Sequence, residues 1–196
     1  MTKIVVTFLD TNRVEIELLF ESSFISESEK DGFRKYSHPR VRKEKIASTY
    51  LKNKYIKDYY INENGKPLCK DKFFSISHSN GVVVLVIDEV PIGIDIELVR
   101  DFETELADYI SSNEEKNYIK DRESFFEVWT NKEALVKVLG EGLKRNIKDI
   151  PSLPLNKKRE YYGHTFSNKT IKFQDYIISV SRESIEEFEL EISENI

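Results

Sequence analysis

Two short stretches of this 196-residue chain carry residues whose types and spacing suit chemistry. One is Pro91-Ile92-Gly93-Ile94-Asp95-Ile96-Glu97. The other is Trp129-Thr130-Asn131-Lys132-Glu133-Ala134-Leu135-Val136-Lys137. In the first, Ile92, Ile94 and Ile96 alternate with Gly93, Asp95 and Glu97. A strand of that period sets both carboxylates on one face, and Gly93 leaves a low step beside them. The second reads as a helix in which Glu133 and Lys137 stand one turn apart. Packed together, strand and helix gather three carboxylates, Asp95, Glu97 and Glu133, and two lysines, Lys132 and Lys137. Such a set suits a divalent metal ion that holds a polyphosphate. Taken alone, the alternation is equally that of an exposed edge strand, and the lysines those of a solvated helix face.

The elements that must position these residues follow from pattern. Strands are expected over 3–9 and 13–20, and a helix over 40–60 with Ile46, Tyr50, Leu51 and Tyr55 on its apolar side. Residues 62–67 form a loop by turn chemistry. Strands over 73–77 and 82–87 follow, the latter turning back through Asp88-Glu89 into 91–97 as a hairpin. Helices are expected over 103–119 and 124–139, with Gly140 and Gly142 stopping the second. Strands over 158–166, 170–181 and 186–192 complete the chain.

Composition narrows the class. Hydrophobic content of 39% and charged content of 33% are those of an ordinary soluble protein. No apolar run approaches the roughly 20 residues that span a bilayer. Residues 1–6 lack a signal-peptide layout, so a cytoplasmic location is expected. The lone Cys69 excludes an internal disulfide and a cysteine-based metal site. A net charge of -5 disfavours nucleic acid as partner. One basic run, from Arg34 through Arg40, Arg42, Lys43 and Lys45 to Lys57, is either a solvated helix face or an anion site.

Three motifs in order, Phe74-Ser75-Ile76-Ser77-His78-Ser79, Gly93-Ile94-Asp95-Ile96-Glu97 and Trp129-Thr130-x-Lys132-Glu133-Ala134-x-x-Lys137, resemble those of the 4′-phosphopantetheinyl transferases. Asn64-Gly65-Lys66-Pro67 resembles the family's loop before the Ser-His strand. Gly140-Glu141-Gly142-Leu143 resembles its glycine-rich sequel to the helix. The length resembles the longer, pseudo-dimeric type that activates peptide and polyketide synthetases. The resemblance implies an α+β fold of two similar α/β-hairpin halves, 1–98 and 99–196, with the active site in the cleft between them. It implies magnesium-dependent transfer of 4′-phosphopantetheine from coenzyme A to a serine of an apo acyl or peptidyl carrier protein. Adenosine 3′,5′-bisphosphate is the other product. A monomer that binds neither membrane nor nucleic acid is expected.

By the same resemblance, Asp95, Glu97 and Glu133 bind magnesium, and Glu133 is either a ligand or the base that takes the acceptor proton. Lys132 and Lys137 hold the pyrophosphate, and Lys137 protonates the leaving group. Ser77 and His78 meet a coenzyme A phosphate, and Lys66 the 3′-phosphate. The chain departs from the pattern once: Glu44 stands where the family has a nucleotide-binding arginine, and neighbouring Arg42 is expected to substitute. Two alternatives stand beside this reading. One is a magnesium-dependent phosphoester hydrolase, and the other a catalytically silent relative that binds a carrier or nucleotide.

Overall fold

The computed structural model describes residues 2–56, 58–63, 65, 67–140 and 146–194. Alternation builds the first strand, β1 (Thr2–Asp10), whose Ile4, Val6 and Phe8 point into the core. Residues 13–20, expected as a strand, instead turn into a short helix, α1 (Ile16–Phe20). Ile16, Leu19 and Phe20 are spaced for a helical face, and they pack with Ile25, Phe33 and Ile46. Next comes α2 (Glu27–Phe33), which Ser26 starts by a reciprocal capping box with Glu29. Helix α3 (Pro39–Tyr55) opens on Pro39, whose fixed φ suits a first turn. It ends before residue 60, at Ile56.

A two-stranded ribbon, β2 (Tyr60–Ile61) and β3 (Pro67–Leu68), leads to the hairpin of β4 (Phe73–Ser79) and β5 (Val82–Asp88). Strand β6 (Ile92–Leu98) follows. The expected helix over 103–119 is two helices, α4 (Thr104–Ile110) and α5 (Asn113–Tyr118). Ser112 breaks it by capping α5 with Glu115. Helix α6 (Arg122–Leu139) starts on an Asp121–Ser124 capping box and stops at Gly140, which takes the left-handed φ of 70°. The last strands are β7 (Arg159–Tyr161), β8 (His164–Phe173), β9 (Tyr176–Glu183) and β10 (Phe188–Glu194). The strands expected over 158–166 and 170–181 are thus cut by turns at Tyr162-Gly163 and Gln174-Asp175. Tyr162 and Gln174 turn with positive φ, although neither type signals it.

Two four-stranded sheets result, ordered β10-β1-β5-β4 and β6-β9-β8-β7. The expected β5–β6 hairpin does not form. Both edges of β5 are taken, by β1 and by β4, and β6 pairs antiparallel with β9 instead. A division after residue 98 therefore crosses the sheets: β6 lies in the second and β10 in the first. The sheets share one apolar core, where Val84 and Val86 of β5 meet Ile92, Ile94 and Ile96 of β6 and Ile178 and Val180 of β9. Residues of opposite parity face the helices. Val83 and Leu85 pack on Ala47 and Leu51 of α3, and Ile177 packs with Leu135 and Val138 of α6. Burial of these faces supplies the main driving force for the arrangement.

Candidate active site

Gly93 sets the distance between β6 and α6. A Cβ there would stand 2.1 Å from the Ala134 carbonyl oxygen and 2.7 Å from the Val138 nitrogen. No side chain fits, so the helix backbone rests directly on the strand. The helix residues flanking Ala134 and Val138, Glu133 and Lys137, are thereby held over the face of β6 that carries Asp95 and Glu97.

A second device aligns the carboxylates from the other side. β4 and β6 lie side by side without a backbone ladder, and alternate serines of β4 bridge the gap. Ser75 Oγ accepts from the Ile94 N–H at 3.1 Å. Ser77 Oγ donates to Asp95 Oδ1 at 2.7 Å. Ser79 Oγ donates to Glu97 Oε2 at 2.7 Å and accepts from the Leu98 N–H at 3.2 Å. The seam between the sheets is thus the floor of the site, and its serine hydroxyls fix the two carboxylates.

Lys137 closes the cluster. Its Nζ donates to Asp95 Oδ1 at 2.7 Å and to Ser77 Oγ at 2.8 Å. Asp95 Oδ2 and Glu133 Oε1 are buried and have no hydrogen-bond partner among the described residues. Burial pushes the Glu133 carboxyl up to about 7, the charge of Asp95 adds to this, Lys137 opposes it and Glu97 adds further. Burial also raises Glu97, against the hydrogen bond from Ser79. Negative charge therefore exceeds positive charge in a poorly solvated place. Among the described residues, no group of three or more acidic, His or Cys side chains stands closed around a metal position. The donor set nevertheless suits a hard divalent cation: it offers carboxylate oxygens, two of them buried and unpartnered. Asp95, Glu97 and Glu133 are the residues that would hold it.

His78 sits at the rim, its side chain 40% exposed. Glu44, 5% exposed, reaches it from α3: Glu44 Oε2 lies 3.3 Å from His78 Nδ1. Glu44 Oε1 accepts from the Gly81 N–H at 2.7 Å. Arg42 does not take the place expected of it. It stands over the Phe20 ring and lines a separate hollow with Tyr36 and Lys43, because on α3 it faces away from the side that carries Glu44. Lys45 is the α3 cation whose charge acts on His78.

Two further expectations are corrected. Lys132 is fully buried, pairs with Glu115 at 2.8 Å and donates to the Ile147 and Ile150 carbonyls. It holds α5 and the 147–150 turn against α6 and cannot reach a ligand. Ser77 is buried and commits its proton to Asp95, so it aligns the carboxylate rather than facing outward with His78. Lys66 and the Glu141-Gly142-Leu143 part of the glycine-rich sequel lie outside the described residues. Sequence reasoning missed the bridging roles of Ser75 and Ser79, although a serine at every second position of 75–79 beside the histidine was a signal.

The chain is similar in sequence to known proteins. Residues 91–184, from the start of β6 to the end of β9, match the 4′-phosphopantetheinyl transferase superfamily. Among individual proteins, the chain is 30% identical over 141 residues to the 4′-phosphopantetheinyl transferase gsp of Aneurinibacillus migulanus, a match covering 63% of this chain and 60% of that protein. It is 30% identical over 153 residues to the 4′-phosphopantetheinyl transferase Sfp of Bacillus subtilis strain 168, covering 68% of this chain and 65% of Sfp. With psf-1 of Bacillus pumilus the identity is 33% over 96 residues, or 44% and 41% of the two chains. The chain is thus a relative of the Sfp-type 4′-phosphopantetheinyl transferases, and it spans 41% to 65% of the length of these three relatives.

Proposed function

We propose that this protein is a magnesium-dependent 4′-phosphopantetheinyl transferase. It moves phosphopantetheine from coenzyme A to a serine hydroxyl of an apo acyl or peptidyl carrier protein and releases adenosine 3′,5′-bisphosphate. The observation that carries this reading is the meeting of Asp95, Glu97, Glu133 and Lys137 where α6 rests on Gly93. A magnesium ion held by the three carboxylates would neutralise charge on the pyrophosphate. Glu133, whose buried Oε1 has no partner among the described residues, is the carboxylate that would accept the proton that the acceptor serine loses as its oxygen bonds to the β-phosphorus. Lys137 is placed to give a proton to the phosphate oxygen that departs when the bridging P–O bond breaks. His78, with Lys45 and Lys137 beside it, offers the rim an anion contact, and Lys66 belongs to the same reading. The reading includes two related halves, 1–98 and 99–196, that exchange β6 and β10 around the cleft, and a cytoplasmic monomer.

The test is mass spectrometry of apo carriers incubated with the protein, coenzyme A and magnesium. A mass gain of one phosphopantetheine group is expected, and it should vanish with chelator and in Asp95→Ala. The proposal fails if several acyl and peptidyl carriers gain no mass. Coenzyme A broken down without any carrier would point to a hydrolase. Binding without turnover would point to a silent relative.

A further inference from the structure

Glu44 breaks the pattern that the rest of the chain keeps, yet it is one of the best-anchored side chains near the site. The Gly81 N–H holds one carboxylate oxygen at 2.7 Å. Asn80 and Gly81 both turn with positive φ at the tip of the β4–β5 hairpin, and Thr11 Oγ1 donates to the Gly81 carbonyl at 2.7 Å from the far side. The other Glu44 oxygen faces His78 Nδ1 at 3.3 Å. A carboxylate 3.3 Å from a ring nitrogen favours the tautomer that carries its proton on that nitrogen, since the carboxylate only accepts. Neutral His78 then has a bare Nε2, on the side of the ring away from Glu44. A phosphate oxygen also only accepts. His78 can hold a phosphate at Nε2 only as the imidazolium, with an anion at each nitrogen.

The geometry points to Glu44 as a positioning residue for His78, one that couples anion binding at this rim to uptake of a proton. The inference rests on the reading above that His78 meets a coenzyme A phosphate. The groups around the ring support it. Burial holds His78 below the usual imidazole range, Lys45 of α3 and Lys137 of α6 push the same way, and Glu44 and Asp95 of β6 oppose them. In the free protein above neutral pH the ring is therefore mainly neutral, and the incoming phosphate supplies the charge that protonates it. An arginine at position 44 would leave the tautomer of the histidine open and would need no proton.

Calorimetric titration of coenzyme A into the whole protein at pH 8, in two buffers of different ionisation enthalpy, tests this. Wild type should take up about one proton per coenzyme A, and its Kd should weaken by up to roughly tenfold per pH unit above the His78 pKa. In Glu44→Gln the amide oxygen keeps the Gly81 contact while its NH2 donates to Nδ1. The ring then carries its proton on Nε2, so uptake should disappear and the Kd should be nearly flat with pH. His78→Ala should also show no uptake, with weaker binding. Equal uptake in wild type and Glu44→Gln overturns the proposal. So does wild-type binding without uptake, which leaves the functional reading intact. Failure of wild type to bind coenzyme A sinks both. Ring nitrogen NMR of the free proteins gives a readout that needs no ligand: Nδ1–H is expected in wild type and Nε2–H in Glu44→Gln. An Nε2–H tautomer in wild type overturns the pair directly.

Discussion

Gly93→Ala is the sharpest perturbation of the site that touches none of its functional groups. The added methyl would lie 2.1 Å from the Ala134 carbonyl oxygen and 2.7 Å from the Val138 nitrogen. Both obstacles are backbone in the middle of α6, so no rotamer change relieves them. Reaching even 3.0 Å from 2.1 Å requires strand and helix to part by about 0.9 Å. Overpacking of a well-filled core costs about 1–3 kcal/mol, and a backbone obstacle places this case at the upper end. At roughly 2–4 °C of Tm per kcal/mol for a chain of this size, the expected loss is about 6–12 °C. The parting also lifts Glu133 and Lys137 from Asp95. A misplacement near 1 Å costs on the order of 10²-fold in rate. Thermal unfolding and carrier modification, both measured below the variant's Tm, check the two figures. Gly32→Ala is the control: a Cβ at Gly32 in α2 meets nothing within 4 Å, and it should be neutral or gain about 0.4–1 kcal/mol. A Gly93→Ala protein with wild-type Tm and rate would refute the idea that this glycine sets the site.

Glu133 gives a pH signature in the metal-free protein. Its carboxyl titrates at about 7 folded against an ordinary 4.5, so between those values the folded protein holds a proton the unfolded chain has lost. Stability from this group therefore falls as pH rises through that window, and magnesium should restore more stability at pH 8 than at pH 5. Urea midpoints of wild type and Glu133→Gln across that range check it. Identical pH profiles with and without the side chain would contradict the assignment. Lys132→Met should destabilise by about 3–5 kcal/mol, since it strands the buried Glu115 carboxylate, and should leave the coenzyme A KM unchanged where the protein is folded. A stable variant with a raised KM would return Lys132 to the ligand.

The chemistry of β6 and α6 was legible because both elements write their faces in a single local period. Ile92, Ile94 and Ile96 go to the core and Asp95 and Glu97 to the helix, as alternation requires. The C-terminal end of α6 was legible too, since Gly140 is a local signal; its start, expected at 124, lies at Arg122 behind the Asp121 cap. Strand partnership was not. Whether β6 pairs with β5 depends on whether β1 and β4 have already filled the edges of β5, and that is a property of the whole sheet. Lys132 was misjudged for a different reason. Five residues along a helix turn the side chain by about 140°, so Lys132 cannot share the face of Lys137. Its true partner, Glu115, lies on another helix and leaves no trace near it in sequence.

Lys137 ties the electrostatics of the site together. Its ammonium is the counter-ion that reaches Asp95, while Glu133 and Glu97 answer their burial by holding protons more tightly. A divalent cation at the unpartnered Asp95 Oδ2 would share that carboxylate's charge with the ammonium on Oδ1 and so weaken the ammonium's hold. Under the proposed function, metal binding would loosen Lys137 from Asp95 and at the same time lower the proton affinity of Glu133 and Glu97. Both changes would favour the proposed chemistry: a lysine released to meet phosphate, and a carboxylate freed to accept a proton. The serine seam lets this happen without loss of alignment. Ser77 and Ser79 hold Asp95 and Glu97 from β4 through hydroxyl protons that the lysine does not use, so the carboxylates would keep their places when the ammonium leaves.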